Sequence, residues 1–228
     1  MPGFKLRRQN QTVAIDTNYF NLALRQTGRV RTASSGQANP YVRVVTFTVN
    51  ADQPILAVRA PYPVCITHSV VNGGQVTYTL YGIPDGAFDF DVDFWLFDLP
   101  KYGMMFASAG KFIVRNPATR EPVFDSRMKY LKVQDFFLGN SSSDEARNYG
   151  KYPAVVLANR AWAYIVQPMT QQTTRIESLT STVWTDGNSV KCGSRNIYYM
   201  VRPYSSNDRA INYNGGNRQI MVVDVENY

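Results

Sequence analysis

Apolar and polar positions alternate along most of this chain with a period of two, the pattern of β-strands with one buried face. Tyr41-Val-Arg-Val-Val-Thr-Phe-Thr-Val49 is rich in β-branched residues, which suit a pleated, half-buried surface. Phe88-Asp-Phe-Asp-Val-Asp-Phe94 alternates strictly. Asp89, Asp91 and Asp93 therefore share one face, and Phe88, Phe90, Val92 and Phe94 the other. Val70-Val71 and Val76 flank Asn72-Gly73-Gly74-Gln75, a strong hairpin signal, and Asn214-Gly215-Gly216 predicts a second hairpin turn. Helical patterning is confined to Ser143-Asp-Glu-Ala-Arg147, where Ser or Asp could cap one or two turns. The polar stretches Gly28 to Pro40 and Leu138 to Lys151 read as exposed loops.

One script occurs twice. Phe4-Lys-Leu6-Arg7, a polar turn, Ile15-Asp16-Thr17 and then Leu22 are matched by Phe112-Ile-Val114-Arg115, a polar turn, Phe124-Asp125-Ser126 and then Leu131. Each reads as a short strand, a turn and a second strand ending in Asp-Ser/Thr. Later landmarks keep the same order. Tyr78 to Pro84 is matched by Ile197 to Pro203, and Trp95-Leu-Phe-Asp98 with Tyr102 by Met221-Val-Val-Asp224 with Tyr228. The expectation is a tandem duplication: an all-β chain of two β-sandwich modules, residues 1–108 and 109–228, meeting near Ala109. One large jelly-roll-like sandwich is the alternative.

Composition narrows the function. The chain has 228 residues, 13% of them aromatic, and a formal charge of +7. Lys and Arg are scattered singly, the one tight cluster being Lys5, Arg7 and Arg8, so no phosphate-tracking surface and no nucleic-acid partner are predicted. No apolar run of membrane-spanning length occurs, and no apolar stretch follows the N-terminal basic residues, so neither membrane insertion nor a signal peptide is expected. Cys65 and Cys192 stand far apart without CxxC spacing, which points to reduced, buried thiols.

Catalytic and metal-binding patterns are sparse. A single histidine, His68, leaves little for a metal site or an acid/base triad. Phe106-Ala-Ser108-Ala-Gly110-Lys111 fails as a nucleophile elbow, because Phe106 occupies the first glycine position, and it fails as a phosphate loop. Asp89, Asp91 and Asp93 would stand about 7 Å apart along their face. That spacing is too wide for one ion to take all three but suits a row of Lys or Arg partners across a strand or an interface. Asp16 with Thr17 and Asp125 with Ser126 occupy matching places and read as turn closures. No catalytic residue, cofactor or metal ligand is expected.

With these motifs in view, the chain resembles minor structural proteins of long-tailed bacteriophage tails. The likeness rests on Gly3-Phe4 with Leu6, Ile15-Asp16-Thr17-Asn18-Tyr19, Leu22-Ala-Leu24, Val123-Phe124-Asp125-Ser126, Tyr130-Leu-Lys-Val133 and Val222-Val-Asp-Val225. The segment from Thr32 to Ala109 carries no part of it. The resemblance implies a non-enzymatic virion protein, made in the host cytoplasm and built into the tail tip or tail-fibre region. There it would join or decorate the tip and support fibres during host adsorption, with other tail proteins as partners. A homo-oligomer is expected, a trimer foremost, since three two-module chains would offer six similar modules to a sixfold tail ring. The alternative function is a carbohydrate-binding module for host surface polysaccharide, with Tyr78, Trp162 or Trp184 as stacking platforms.

Overall fold

The computed structural model describes residues 21–36, 39–106, 111–139, 144–170 and 172–228, with the backbone of two short strands, β1 (Lys5–Arg7) and β2 (Val13–Asp16). In chain order, β3 (Ala23–Arg31), β4 (Ala33–Ser34), β5 (Arg43–Asn50), β6 (Ile55–Arg59), β7 (Val64–Asn72), β8 (Gln75–Gly82) and β9 (Asp91–Asp98) precede a hairpin of β10 (Ile113–Arg115) and β11 (Pro122–Asp125). Then follow β12 (Val133–Gly139), β13 (Glu145–Asn148), β14 (Pro153–Asn159), β15 (Trp162–Pro168), β16 (Thr173–Asp186), β17 (Ser189–Pro203), β18 (Ile211–Gly215) and β19 (Arg218–Asp224). The helical content among the described residues is a 3-10 turn at Pro100–Tyr102. None of it is long and apolar enough to cross a membrane.

Two antiparallel sheets enclose the core. A six-stranded sheet runs β12-β19-β14-β6-β9-β3, and a nine-stranded one runs β13-β17-β16-β7-β8-β5-β4, with β15 and β18 branching from β16. Leu56, Val92, Phe94, Val155, Ile220 and Val222 of the first sheet meet Val49, Val64, Leu80, Val183 and Val190 of the second in one cluster. The opposite face of the six-stranded sheet is also covered, since Leu24, Ala57, Trp95, Phe97, Val156 and Val223 form a second cluster. Burial on both faces explains why Phe94-Trp-Leu-Phe97 is uninterruptedly apolar while the start of β9 alternates.

The all-β reading holds, but the halves do not close as separate modules. Each contributes three strands to the six-stranded sheet. β6 pairs with β14 through Val58 and Val155, and β7 with β16 through Val64 and Val183. A strand edge left bare at the end of one module is satisfied by the other, so the result is a single sandwich; Ala109 itself lies outside the described residues. Other corrections are local. Glu145–Asn148 is strand where a helical turn was expected, because β17 pairs with it along its length. Gly28 to Arg31 is not loop but the end of β3, whose exposed arginines disguise an edge strand. Glycines 215 and 216 make no hairpin, since they carry the chain from the nine-stranded layer to the six-stranded one. The Asn72-Gly-Gly-Gln75 hairpin is present, with φ of 58° and 83° at its two glycines, both in the region a type I′ turn requires.

The repeated script is visible in the backbone. β1 and β2 pair Lys5 with Asp16 and Leu6 with Ile15, with an irregularity between Leu6 and Arg7. β10 and β11 pair Ile113 with Asp125 and Val114 with Phe124, with the irregularity between Val114 and Arg115. The segments that follow these hairpins pair with each other. Leu131 N donates to Leu22 O at 2.9 Å, Leu24 N donates to Lys129 O at 2.7 Å, and Ala23 bridges Tyr130. Leu22 thus lies opposite its own repeat counterpart, which makes the relation a local two-fold. The sheet obeys it: β3-β9-β6 and β12-β19-β14 run outward-in from opposite edges. β3 is irregular after Leu24 and β12 after Val133, the matching places.

Candidate functional site

The acidic stripe lies at the β3 edge, and each carboxylate meets an arginine. Asp93 receives Arg29 at 2.6 and 3.2 Å, and Asp91 receives Arg31 at 3.0 Å. Both are direct cross-strand neighbours on β3 and β9. Asp89, which precedes β9, has Arg43 Nε 3.2 Å away without hydrogen-bond alignment. Hydrogen bonding to Asp93 raises the Arg29 guanidinium above its ordinary value. The stripe borders a cleft of about 530 Å3 with Arg59, Trp184 and Lys191. The charges there are matched: Lys191 reaches Asp186 at 2.8 Å, and Arg59 donates to the carbonyls of Pro153 and Gly187. No group of three metal-ligating side chains occurs among the described residues. Phe88, expected on the buried face, is 44% exposed and meets Tyr62 edge-on.

Asp125 and Ser126 close the β10–β11 unit. Asp125 Oδ1 accepts from Arg127 N at 3.0 Å and Nε at 2.9 Å, and Oδ2 accepts from Nη2 at 2.6 Å. Ser126 Oγ accepts from Phe112 N at 2.9 Å. The Tyr130 hydroxyl accepts from Asp125 N at 2.5 Å and donates to Asp125 O at 3.2 Å. The Arg127 bond holds the Asp125 carboxyl below the usual carboxylate range, and burial pushes the Tyr130 phenol up to about 12. These bonds tie the turn to its own backbone and to Arg127. Asp125→Ala should cost about 1–3 kcal/mol, the penalty for stripping the partner from part-buried donors of Arg127; urea denaturation checks it, and an unchanged midpoint would remove the turn role. The side chain of Asp16, Thr17 and the side chain of His68 lie outside the described residues, as does Ser108.

The sulfurs and Tyr78 serve the interior. Cys65 and Cys192 are free and buried, and burial raises the Cys65 thiol to about 12. Tyr78 is 6% exposed and lies beside Phe47, so it offers no platform. Trp184 carries the Arg195 guanidinium 4.9 Å from its ring centre.

Trp162 is different. It stands at the root of the projecting β15, opposite Gly215 on β18 and Thr180 on β16, and is 45% exposed. Its indole lies against Gly215, where a Cβ would come 3.1 Å from Nε1 and 3.2 Å from Cε2. Gly216 has φ of 75°, and a Cβ there would lie 2.5 Å from Arg160 O, so any other residue would push the turn away. Ser181 fixes the other side: its Oγ accepts from Ala161 N at 3.0 Å and donates to Ala161 O at 3.1 Å. Beneath lies Arg218, fully buried, which donates to Ser194 Oγ at 3.0 Å, Ser181 Oγ at 3.3 Å and Cys192 Sγ at 3.4 Å. A cleft of about 720 Å3 opens here, lined by Trp162, Asn159, Thr180, Ser194, Asn217 and Gln219 among others. Sequence reading singled out Trp162 alone. The polar lining comes from four strands and one turn, and the signal available for it was the Asn-Gly-Gly-Asn run at 214–217. Comparison of the chain with protein-family models, with curated proteins and with solved structures finds no match.

Proposed function

We propose that this chain is a non-enzymatic structural protein of a bacteriophage tail, a connector at the tail tip or fibre region. The observation that carries the reading is the local two-fold. The hairpins of β1–β2 and β10–β11 share one register, and the six-stranded sheet repeats itself from its two edges. A body that offers one backbone element twice, half a turn apart, suits a joint between like surfaces better than it suits a single reaction cleft. The motifs that resemble those of tail proteins fall on β1, β2 and β11 and at the ends of β3, β12 and β19, parts that the two-fold relates. In a trimer with that dyad lying across the threefold axis, the repeats form two stacked threefold layers. This replaces the single sixfold ring, which needs repeats a sixth of a turn apart.

The test is cryo-electron microscopy of virions from a phage encoding the chain, with mass spectrometry of purified particles. The reading expects the protein in the tail-tip or fibre density, with its two repeats on opposing neighbours. Its absence from purified virions, or turnover of a cell-envelope polymer by the isolated protein, would sink it.

A further inference from the structure

We infer that the cleft beside Trp162 binds a neutral saccharide ring. The inference concerns this cleft alone and stands whether or not the chain is a tail connector. Three observations select the ligand. First, the indole is exposed on one side and backed by Gly215 on the other. It is a flat, fixed apolar surface of the kind that packs against the C–H face of a pyranose. Second, Asn159, Asn217 and Gln219 bring side-chain amides, and Thr180 and Ser194 hydroxyls, into the lining. Each of these groups both donates and accepts, as sugar hydroxyls require. Third, no lining residue among those described is charged, and the Arg218 guanidinium beneath is turned to Ser194, Ser181 and Cys192, so an ionic ligand would lose its water without meeting a charged partner in the lining.

Thr180 sharpens the reading. It is 2% exposed, and its hydroxyl has no hydrogen-bond partner among the described residues. A buried hydroxyl left unpaired costs stability, and one retained on the lining of a cleft has a use when a ligand hydroxyl completes it. The rest of the lining is held in advance. Arg218 fixes the Ser194 hydroxyl from below, the Ser181 bonds clamp Ala161, and Gly216 seats the turn that carries Asn217. A volume of about 720 Å3 falls within the range of pockets that enclose small ligands.

The experiment uses the full chain on an array of immobilised neutral and acidic oligosaccharides, with hits titrated by calorimetry. Wild type should bind neutral glycans. Trp162→Ala should weaken the best hit at least about tenfold and Trp162→Phe only about threefold, a stacking loss followed by partial rescue. Trp184→Ala, in the other cleft, should leave affinity unchanged. Thr180→Val should weaken binding while raising the melting temperature, a split that a purely structural role would not produce. Circular dichroism confirms that each variant is folded. The inference is overturned if wild type binds no neutral glycan or only acidic ones, or if Trp162→Ala and Trp184→Ala bind alike. A Thr180→Val protein that loses affinity only in step with its stability would overturn it too.

Discussion

Expressed as separate fragments, residues 1–108 and 109–228 will not fold, whereas the full chain will unfold in one cooperative transition. The first fragment would lose Phe137, Val155, Val183, Val190, Ile220 and Val222 from the cluster that covers its own Leu56, Val92, Phe94 and Leu96. Burial of side chains of this size contributes about 1.5–3 kcal/mol each, and a whole domain is stable by only about 5–15 kcal/mol. The fragment would also bare the edge of β6 that pairs with β14, and the edge of β7 that pairs with β16. Bare apolar edges recruit other chains, so aggregation and dye binding are expected in place of a melting transition. A cooperative urea transition in either fragment would refute the shared core and restore two independent modules.

The second large effect belongs to Asp98. Its side chain is fully buried and accepts four bonds: from Asp52 N at 2.8 Å, Gln53 N at 2.9 Å, Leu99 N at 2.7 Å and Arg25 Nη1 at 2.7 Å. Asp98→Ala should cost about 3–5 kcal/mol, because it orphans three backbone donors and strands a cation that had a buried partner. Burial alone would raise the Asp98 carboxyl, but the three backbone N–H groups and Arg25 outweigh it and hold it below its ordinary value. Stability from this group is therefore fully present above the unfolded carboxylate value of about 3.9. It is lost as pH falls below that toward the lower folded value. Wild type and Asp98→Asn should differ most near neutrality and converge in strong acid. A gap that widened on acidification would contradict this account. Asp224, at the matching place on β19, has among the described residues only Glu226 N at 3.0 Å and Lys151 Nζ at 3.4 Å, so Asp224→Ala should cost markedly less.

What the sequence disclosed and what it withheld differ by range. The hairpins were legible because turn chemistry and alternation are local: Asn72 to Gln75 needed nothing beyond its own glycines, and the Asp16 and Asp125 scripts predicted one register. The sharing of sheets between the halves was not legible, because alternation states which face a residue takes and never which strand lies beside it. Nothing in Val58 or Val155 names the other. Errors over single elements arose where context overrode composition. Ser143 to Arg147 suits a helical turn until β17 fixes Glu145–Asn148 as a strand, and the end of β3, from Gly28, reads as loop because its outward positions are Arg29 and Arg31. The Trp162 cleft was half visible. The aromatic stands out in the sequence, but Thr180, Asn217 and Gln219 converge only because the chain changes layers at Gly216.

The local two-fold relates backbones, not surfaces. At one outer edge β3 faces solvent with Arg29 and Arg31 locked to Asp93 and Asp91. At the other, β12 pairs only with β19 among the described residues, and it leaves Phe136 52% and Leu138 63% exposed. Were both edges apolar, every molecule would have two adhesive ends and could string into filaments without limit. With one edge apolar and the other sealed by ion pairs, the two edges are not interchangeable as contact surfaces, although the backbone relates them.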